Sequence, residues 1–466
     1  MKTRSPSLPL SLSPFLLFVL LFVAPAQAQS ETERGDLLIQ NATVITVTNG
    51  TLDDTDILVR DGKIAEIGQD LSAPSGVETI DATGMYVMPG IIDAHSHIAI
   101  SNVNDSSAPV TAQISVGDVL NPYHIGLYRA LAGGVTTSHV MHGSANVIGG
   151  QNETIKHRYG ATTPDELRME GAPRTIKFAL GENPMRVHGR GSKIQPATRM
   201  GVEFVLRKTF AEAVRYREAW ERYEAERPNN PRAIPPEYNG QLEVMVDILN
   251  GDILINCHSY RADEILMLMQ VLEDFGIDRI TFQHVNEGFK IAPELAAFGK
   301  NGAGASIFSD WWAYKFEVYY STAYNAAILT RNGVVTSINS DSGELNRHLY
   351  HEAAKSQKYG DLNDDEALAL ITINPAKQLG IDDRVGSIEV GKDADLAIFN
   401  AHPLSIYAIA QRTIVDGITR FDIVKDPDDM RLTVDPEAAV ETVTLWNGHD
   451  DRCMEGVNLL DFVSRQ

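Results

Sequence analysis

Two histidines, His95 and His97, stand two residues apart near the end of an apolar run, residues 88–100 (MPGIIDAHSHIAI). In a β-strand successive side chains alternate between faces, so positions i and i+2 converge, and Asp93 falls on the same face. Two imidazoles on one rigid strand can grip a divalent ion. Alone, the pair is equally a pair of satisfied core histidines. Three further runs change that: residues 253–259 (ILINCHS) end around His258, residues 279–284 (RITFQH) end in His284, and residues 334–341 (VVTSINSD) end in Asp341. Four separate apolar runs, each finishing in a metal-competent side chain, are how a (β/α)8 barrel assembles a site at its C-terminal rim.

Taken together these segments resemble the amidohydrolase superfamily, in its exported imidazolonepropionase-like and prolidase-like branch. DLLIQNATVITV and ILVRDGKIAEIG near the start resemble the small β-sandwich that precedes the barrel there, and residues 374–404 (NPAKQLGIDDRVGSIEVGKDADLAIFNAHPL) resemble the return to it. The resemblance spans nearly the whole mature chain. It implies an α/β fold, a (β/α)8 TIM barrel over residues 89–380, with a composite β-sandwich built from residues 29–88 and from 381–466, the latter including a C-terminal tail.

The same resemblance implies a site. His95, His97 and Asp341 would hold a first metal, and His258 and His284 a second. Lys177, in RTIKFALGEN on the fourth strand, would bridge both as a carboxylated lysine. A neutral amine captures carbon dioxide to give an anionic carbamate, which adjacent cations stabilise. The other reading of Lys177 is a strand-end lysine with its head in water, Glu182 in the next loop then being the alternative carboxylate. If neither bridges, the site is mononuclear, as in the deaminase-like branch. Four histidines with two anions suit a borderline-soft ion, so two divalent ions, zinc by preference, are the expected cofactors.

The chemistry implied is hydrolysis. Water between two ions about 3.5–4 Å apart loses a proton near neutral pH. Asp341 would accept that proton as general base and return it to the departing amine as general acid. The expected substrate is a small molecule with an amide-type C–N bond, a dipeptide or N-acyl amino acid. The alternatives are a mononuclear deaminase or cyclic-amide hydrolase and, more remotely, a non-catalytic binding protein, although such proteins lose ligands that are all present here. The loop of residues 181–191 (GENPMRVHGRG) offers Arg186 and His188 as substrate contacts. A guanidinium fork suits a carboxylate, while a solvent-facing arginine is the ordinary state. Asp93 is expected to orient a ligand histidine from behind, or else to cap the strand start. His124, His139, His142, His157, His348 and His351 match no ligand position and read as pocket, core or surface residues. Gly149 and Gly150 read as turn glycines.

The elements that must position these groups follow from the patterning. Residues 35–85 alternate apolar and polar with NG and DG punctuation, as short antiparallel strands do. From His95 onward strand and helix alternate: residues 118–132 read as the first barrel helix, 134–141 as the second strand, a third strand somewhere in 145–158, 174–181 as the fourth, 303–310 as the seventh and 364–373 as the last helix. Residues 204–227 carry charge at helical spacing and read as a solvated surface helix.

Composition narrows the partners. The chain has 466 residues, and 40 basic against 62 acidic residues leave a formal charge of −22. Such a surface repels phosphate backbones, which argues against nucleic acid. Lys2 and Arg4, an apolar stretch at 15–23 and a small-residue APAQAQ site after Ala28 form an export signal over residues 1–28, so a periplasmic or secreted location is expected. That stretch is shorter than the ~20 residues a membrane span needs, and no stable membrane anchor is expected. Homo-oligomer formation stays open. Of the two cysteines, Cys257 should face away from His258 as a buried thiol rather than pair with Cys453 in the tail.

Overall fold

A computed structural model describes residues 32–311 and 314–425. The segment expected to be an export signal, residues 1–28, and Cys453 lie outside the described residues. Two eight-stranded sheets organise the chain.

The first sheet begins with β1 (Leu37–Ile45), β2 (Thr51–Arg60), β3 (Lys63–Gly68), β4 (Glu78–Asp81) and β5 (Tyr86–Pro89). β1, β2 and β3 form an antiparallel meander, turned at Asp61–Gly62, both in the left-handed region. Such DG pairs suit tight hairpins because both residues tolerate positive φ. β4 and β5 pair parallel to successive halves of β1.

The barrel follows as β6 (Ile91–Ser96), β7 (Val135–Val140), β8 (Ile148–Lys156), β9 (Arg174–Ala179), β10 (Ile253–Ser259), β11 (Ile280–His284), β12 (Gly304–Ile307) and β13 (Thr336–Ile338), in sequential order around the sheet. The ring closes just beyond β13, where the Asp341 amide donates to the His95 carbonyl at 3.0 Å. Gly90 joins the two sheets. A Cβ there would fall 2.1–2.7 Å from three atoms of the Thr136 side chain, so glycine is needed for β6 to pack against β7.

One strand departs from the expected alternation. β8 runs antiparallel to both β7 and β9. Only residues 141–147 connect β7 to β8. A parallel crossover needs a dozen or more residues, so the chain must double back. The first barrel helix is also shorter than expected. A 3-10 turn (Val116–Val119) and a helix (Ile125–Leu131) are separated by Asn121–His124, where Pro122 lacks an amide and the Asn121 side chain accepts from Tyr123. By contrast Arg199–Glu226 is one continuous helix, burying Val202, Val205, Leu206, Phe210 and Ala213 along one stripe.

After the barrel, β14 (Leu396–Phe399), β15 (Ala410–Val415) and β16 (Ile418–Asp422) return to the first sheet, β14 lying antiparallel to β5. Strands from both ends of the described chain therefore share one sheet and one core, in which Leu37, Ile39, Val59, Leu396, Ile398 and Ile414 are buried together. Beneath the junction with the barrel lies a buried ionic cluster. Lys156 Nζ, at the end of β8, reaches Asp393 at 2.8 Å, Asp395 at 3.2 Å and Asp416 at 2.5 Å.

Candidate active site

His95 lies on β6 and His97 just past its end, and both approach Asp341, which follows β13. Asp341 Oδ1 is 3.4 Å from His95 Nε2 and 3.1 Å from His97 Nε2, while Oδ2 is 3.8 Å from His284 Nε2 at the end of β11. His97 Nδ1 lies 2.8 Å from the Met141 carbonyl, to which it donates, and Nε2 faces Asp341. Lys177 projects into the barrel from β9 beside Asn256 of β10, with Nζ 2.8 Å from His95 Nε2. His258, on β10, meets the His284 ring edge-on at a centroid distance of 4.6 Å. The structure thus gathers His95, His97, Lys177, His258, His284 and Asp341 at one end of the barrel. All but His97 are fully buried.

The backbone at this rim is unusual. His284 (φ 71°), Val285 (φ 44°) and Asp341 (φ 45°) adopt left-handed conformations that side-chain-bearing residues seldom take. Such conformations persist where surroundings over-determine them, and here they do. The Asn325 amide donates to the Val285 carbonyl at 2.9 Å. Asp93 accepts from the Ser340 amide at 3.0 Å and from Ser340 Oγ at 2.5 Å. Its Oδ1 also accepts from the His95 amide at 3.3 Å, so of the two roles expected of Asp93 the local capping one is seen and the histidine-orienting one is not. Asp93 reaches no imidazole, because its carboxylate spans from β6 to the turn after β13 and fixes the backbone that presents Asp341.

Burial sets the protonation states. It drives the pKa of His95 and His258 well below the usual imidazole range, and nearby positive charge adds to this: Lys177 at His95, His284 and Lys315 at His258. His284 is pushed down to about 3, again chiefly by burial. For Asp341, burial works upward, but the His97 hydrogen bond and the His284 field outweigh it and hold the carboxyl below its ordinary value. Burial lifts Asp93 to about 7 against its Ser340 hydrogen bonds. At neutral pH His95, His258 and His284 are therefore neutral and Asp341 is anionic, the ionisation a divalent ion requires of such ligands.

The residues fit a metal. One donor atom from each of His95, His284 and Asp341 lies within 4.8 Å of the other two. Both ring nitrogens of His284, and Nδ1 of His95 and of His258, are buried with no hydrogen-bond partner. Unsatisfied polar atoms on this scale are rare in a protein interior unless an ion or water completes them. Nitrogen and carboxylate donors suit zinc or a similar ion.

The remaining candidates are placed differently. Glu182 follows the fourth strand but leans toward Lys315, with Oε1 3.7 Å from Nζ. Arg186 is 37% exposed and 4.0 Å from Glu182, while His188 is buried. His139 and His157 are satisfied core histidines, hydrogen-bonded to Thr175 and Ser138. His124 caps a helix. His142 accepts from the Asp105 amide. Gly149 and Gly150 lie within β8 rather than in a turn. The His142 ring packs on them, and a Cβ at Gly149 would meet its Nδ1 at 2.6 Å. His348 and His351 stack on one another away from the cluster. Cys257 is buried in the hydrophobic layer, where burial raises its thiol pKa.

Sequence reasoning missed the wall around this cluster. Phe308 stacks on His284 at 4.7 Å, Trp311 on Phe308 at 4.6 Å, and Tyr260 on His284 at 5.2 Å. Lys315 Nζ sits 4.1 Å from the Tyr260 ring centre. Tyr260 directly follows the His258 strand, which was a usable signal. Nothing in the local pattern marks Lys315.

Comparison with known proteins gives the family. The model of the amidohydrolase family matches residues 320–432. A crystal structure of an amidohydrolase from Thermotoga maritima MSB8 aligns with a TM-score of 0.76 and 33% identity, covering 83% of this chain and 100% of that one. The chain belongs to the amidohydrolase family. A curated relative, amidohydrolase tasK of Hapsidospora irregularis, is 30% identical over 402 residues, which are 79% of this chain and 40% of that protein. This family member therefore spans well under half of that relative's length. An imidazolonepropionase of Mesorhizobium japonicum is 26% identical over 74% of this chain and 86% of its own.

Proposed function

We propose that this amidohydrolase is an exported, metal-dependent hydrolase of amide-type C–N bonds in dipeptides or N-acyl amino acids. The observation that carries the reading is the convergence of His95, His97, His258, His284, Lys177 and Asp341 at one end of the barrel. His95, His97 and Asp341 would hold one ion, His258 and His284 a second, and Lys177, as its carbamate, would bridge them. Divalent ions so held polarise a carbonyl and lower the pKa of water toward neutrality. Asp341, whose carboxylate is anionic, would serve as general base toward the attacking water and as general acid toward the departing nitrogen. Asp93 and Ser340 hold the Asp341 turn in place through both steps. The His97–Met141 hydrogen bond keeps the tautomer that presents Nε2.

The test is elemental analysis of the purified protein, followed by a screen of dipeptides, N-acyl amino acids, cyclic amides and aminated heterocycles. Two ions per chain and turnover of acyclic amides are expected. One ion under metal-replete conditions, with turnover confined to cyclic amides or amino-heterocycles, would instead establish the mononuclear deaminase or cyclic-amide reading.

A further inference from the structure

We propose that Lys315 is the anchor for an anionic group on the substrate, so that the amides cleaved are those carrying a free carboxylate close to the scissile bond. This rests on the hydrolase reading above. It is argued from where the Lys315 ammonium sits.

Lysine on a loop ordinarily carries its head to water while its stem covers apolar surface. Lys315, on the loop after β12, does the reverse. Its side chain is only 2% exposed. Two separate routes join its ammonium to the candidate ligands. In the first, Nζ lies 4.1 Å from the Tyr260 ring centre, and that ring packs on His284 at 5.2 Å and meets His258 edge-on at 4.6 Å. In the second, Asn183 Oδ1 accepts from Nζ at 3.3 Å while Asn183 Nδ2 lies 3.5 Å from His258 Nε2. The ammonium is thus one side chain removed from two candidate ligands, His258 and His284.

Burying an ammonium is costly unless its charge is met. Glu182 stands 3.7 Å away, beyond hydrogen-bond length, and is itself 24% exposed. The Glu317 carboxylate is bound to Arg199 and to the Glu182 amide. The Lys315 charge also opposes the burial that raises the Glu317 carboxyl, so it acts on carboxylates beyond hydrogen-bond reach. Phe308, Trp311 and Tyr314 stand next to Tyr260 and offer the apolar remainder of such a substrate a wall. Arg186, the sequence candidate for this role, lies further out and faces Glu182.

The experiment uses the metal-loaded full-length enzyme, as parent, Lys315→Met and Lys315→Arg, each checked for a native melting profile. The probes are N-acetyl-L-phenylalanine, N-acetyl-L-leucine and glycyl-L-phenylalanine, each paired with its C-terminal carboxamide. Initial rates give kcat/KM, and titration calorimetry gives affinity independently of turnover. The parent should prefer the acids by roughly 10- to 100-fold, the scale of one charge-assisted hydrogen bond. Lys315→Met should collapse that preference mainly through KM and affinity, with partial recovery in Lys315→Arg. Equal handling of acid and carboxamide by the parent, or a preference that survives in Lys315→Met, would overturn the proposal. If nothing turns over while acids still bind selectively through Lys315, the anchor stands and the hydrolase reading fails instead.

Discussion

Replacing Lys156 with methionine should destabilise the fold by an amount the ionic cluster allows one to work out. Methionine keeps the stem and removes only the charge, leaving Asp393, Asp395 and Asp416 buried. Two of the three keep other cations. Asp393 still has Lys63 at 2.8 Å and Arg384 at 2.7 Å, and Asp416 still has Arg158 at 2.7 Å. Asp395 faces no second cation among the described residues, so the cost is that of stranding one buried carboxylate, about 3–5 kcal/mol. An unfolding entropy of ~2 cal/mol/K per residue over ~400 residues is ~0.8 kcal/mol/K, so Tm should fall by about 4–6 °C.

The pH dependence has a definite sign. Burial already lifts Asp395 to about 6 in the parent. A carboxyl whose folded pKa is raised contributes stability below its unfolded value near 4 and loses it as pH rises through the folded value. Removing Lys156 raises that folded value further, so the deficit of Lys156→Met should widen between pH 5 and pH 8. Adding Asp395→Asn should recover most of it. Calorimetric melts of parent, single and double variants at both pH values decide the matter. A Tm drop under 2 °C, or a deficit equal at pH 5 and pH 8, would refute the reasoning.

Other perturbations bear on the site and on the joint between the sheets. Asp341→Asn keeps shape but removes the proton acceptor, so metal content should survive while kcat falls ~10²–10⁴-fold, and an unchanged rate in a metal-loaded variant removes Asp341 from the mechanism. Lys177→Ala should lose metal and activity together, with partial rescue of both by short carboxylic acids; full metal content with a near-parental rate would place any bridge on Glu182 or abolish it. Stripping the metal with a chelator should lower Tm by ~5 °C, since an ion at ~1,000 times its Kd stabilises by about 4 kcal/mol, and identical melts would argue against a structural share for the ions. Gly90→Ala should cost ~1–3 kcal/mol by overpacking against Thr136 and be relieved in part by Thr136→Ala, so an unchanged Tm would deny the close approach of β6 and β7.

The ligand-bearing strands were legible because each is a short apolar run that ends in the functional side chain, a pattern fixed by burial on both faces of a barrel strand. Residues 253–259 match β10 end to end, and residues 279–284 differ from β11 by one residue. β8 was not legible in the same way. Its GGQNET stretch is polar, and its direction is set by the seven residues before it rather than by its own side chains. The role of Asp93 was obscured because alternation along β6 predicts a face and not a partner, and the partner, Ser340, lies 247 residues away. Lys315 carries no periodic signal at all. Loop residues are positioned by tertiary contacts, here Tyr260, Asn183 and Glu182, which come from two other barrel loops.

The same distinction explains how the site holds its shape. His284 and Asp341 are presented from left-handed backbone, and neither position carries the glycine that would announce it. Val285 is β-branched, for which positive φ is especially unfavourable. Each turn is instead held by one hydrogen-bonded side chain from another element: Asn325, at the start of the helix Asn325–Arg331, on the Val285 carbonyl, and Asp93 of β6 on Ser340. Neither Asn325 nor Asp93 carries a ligand atom to the cluster, yet loss of either lets a ligand-bearing residue relax toward an ordinary conformation and away from its neighbours. The spacing of the metal donors therefore depends on two polar side chains that hold backbone rather than metal, which is why ligand identities can be read along the chain and the geometry joining them cannot.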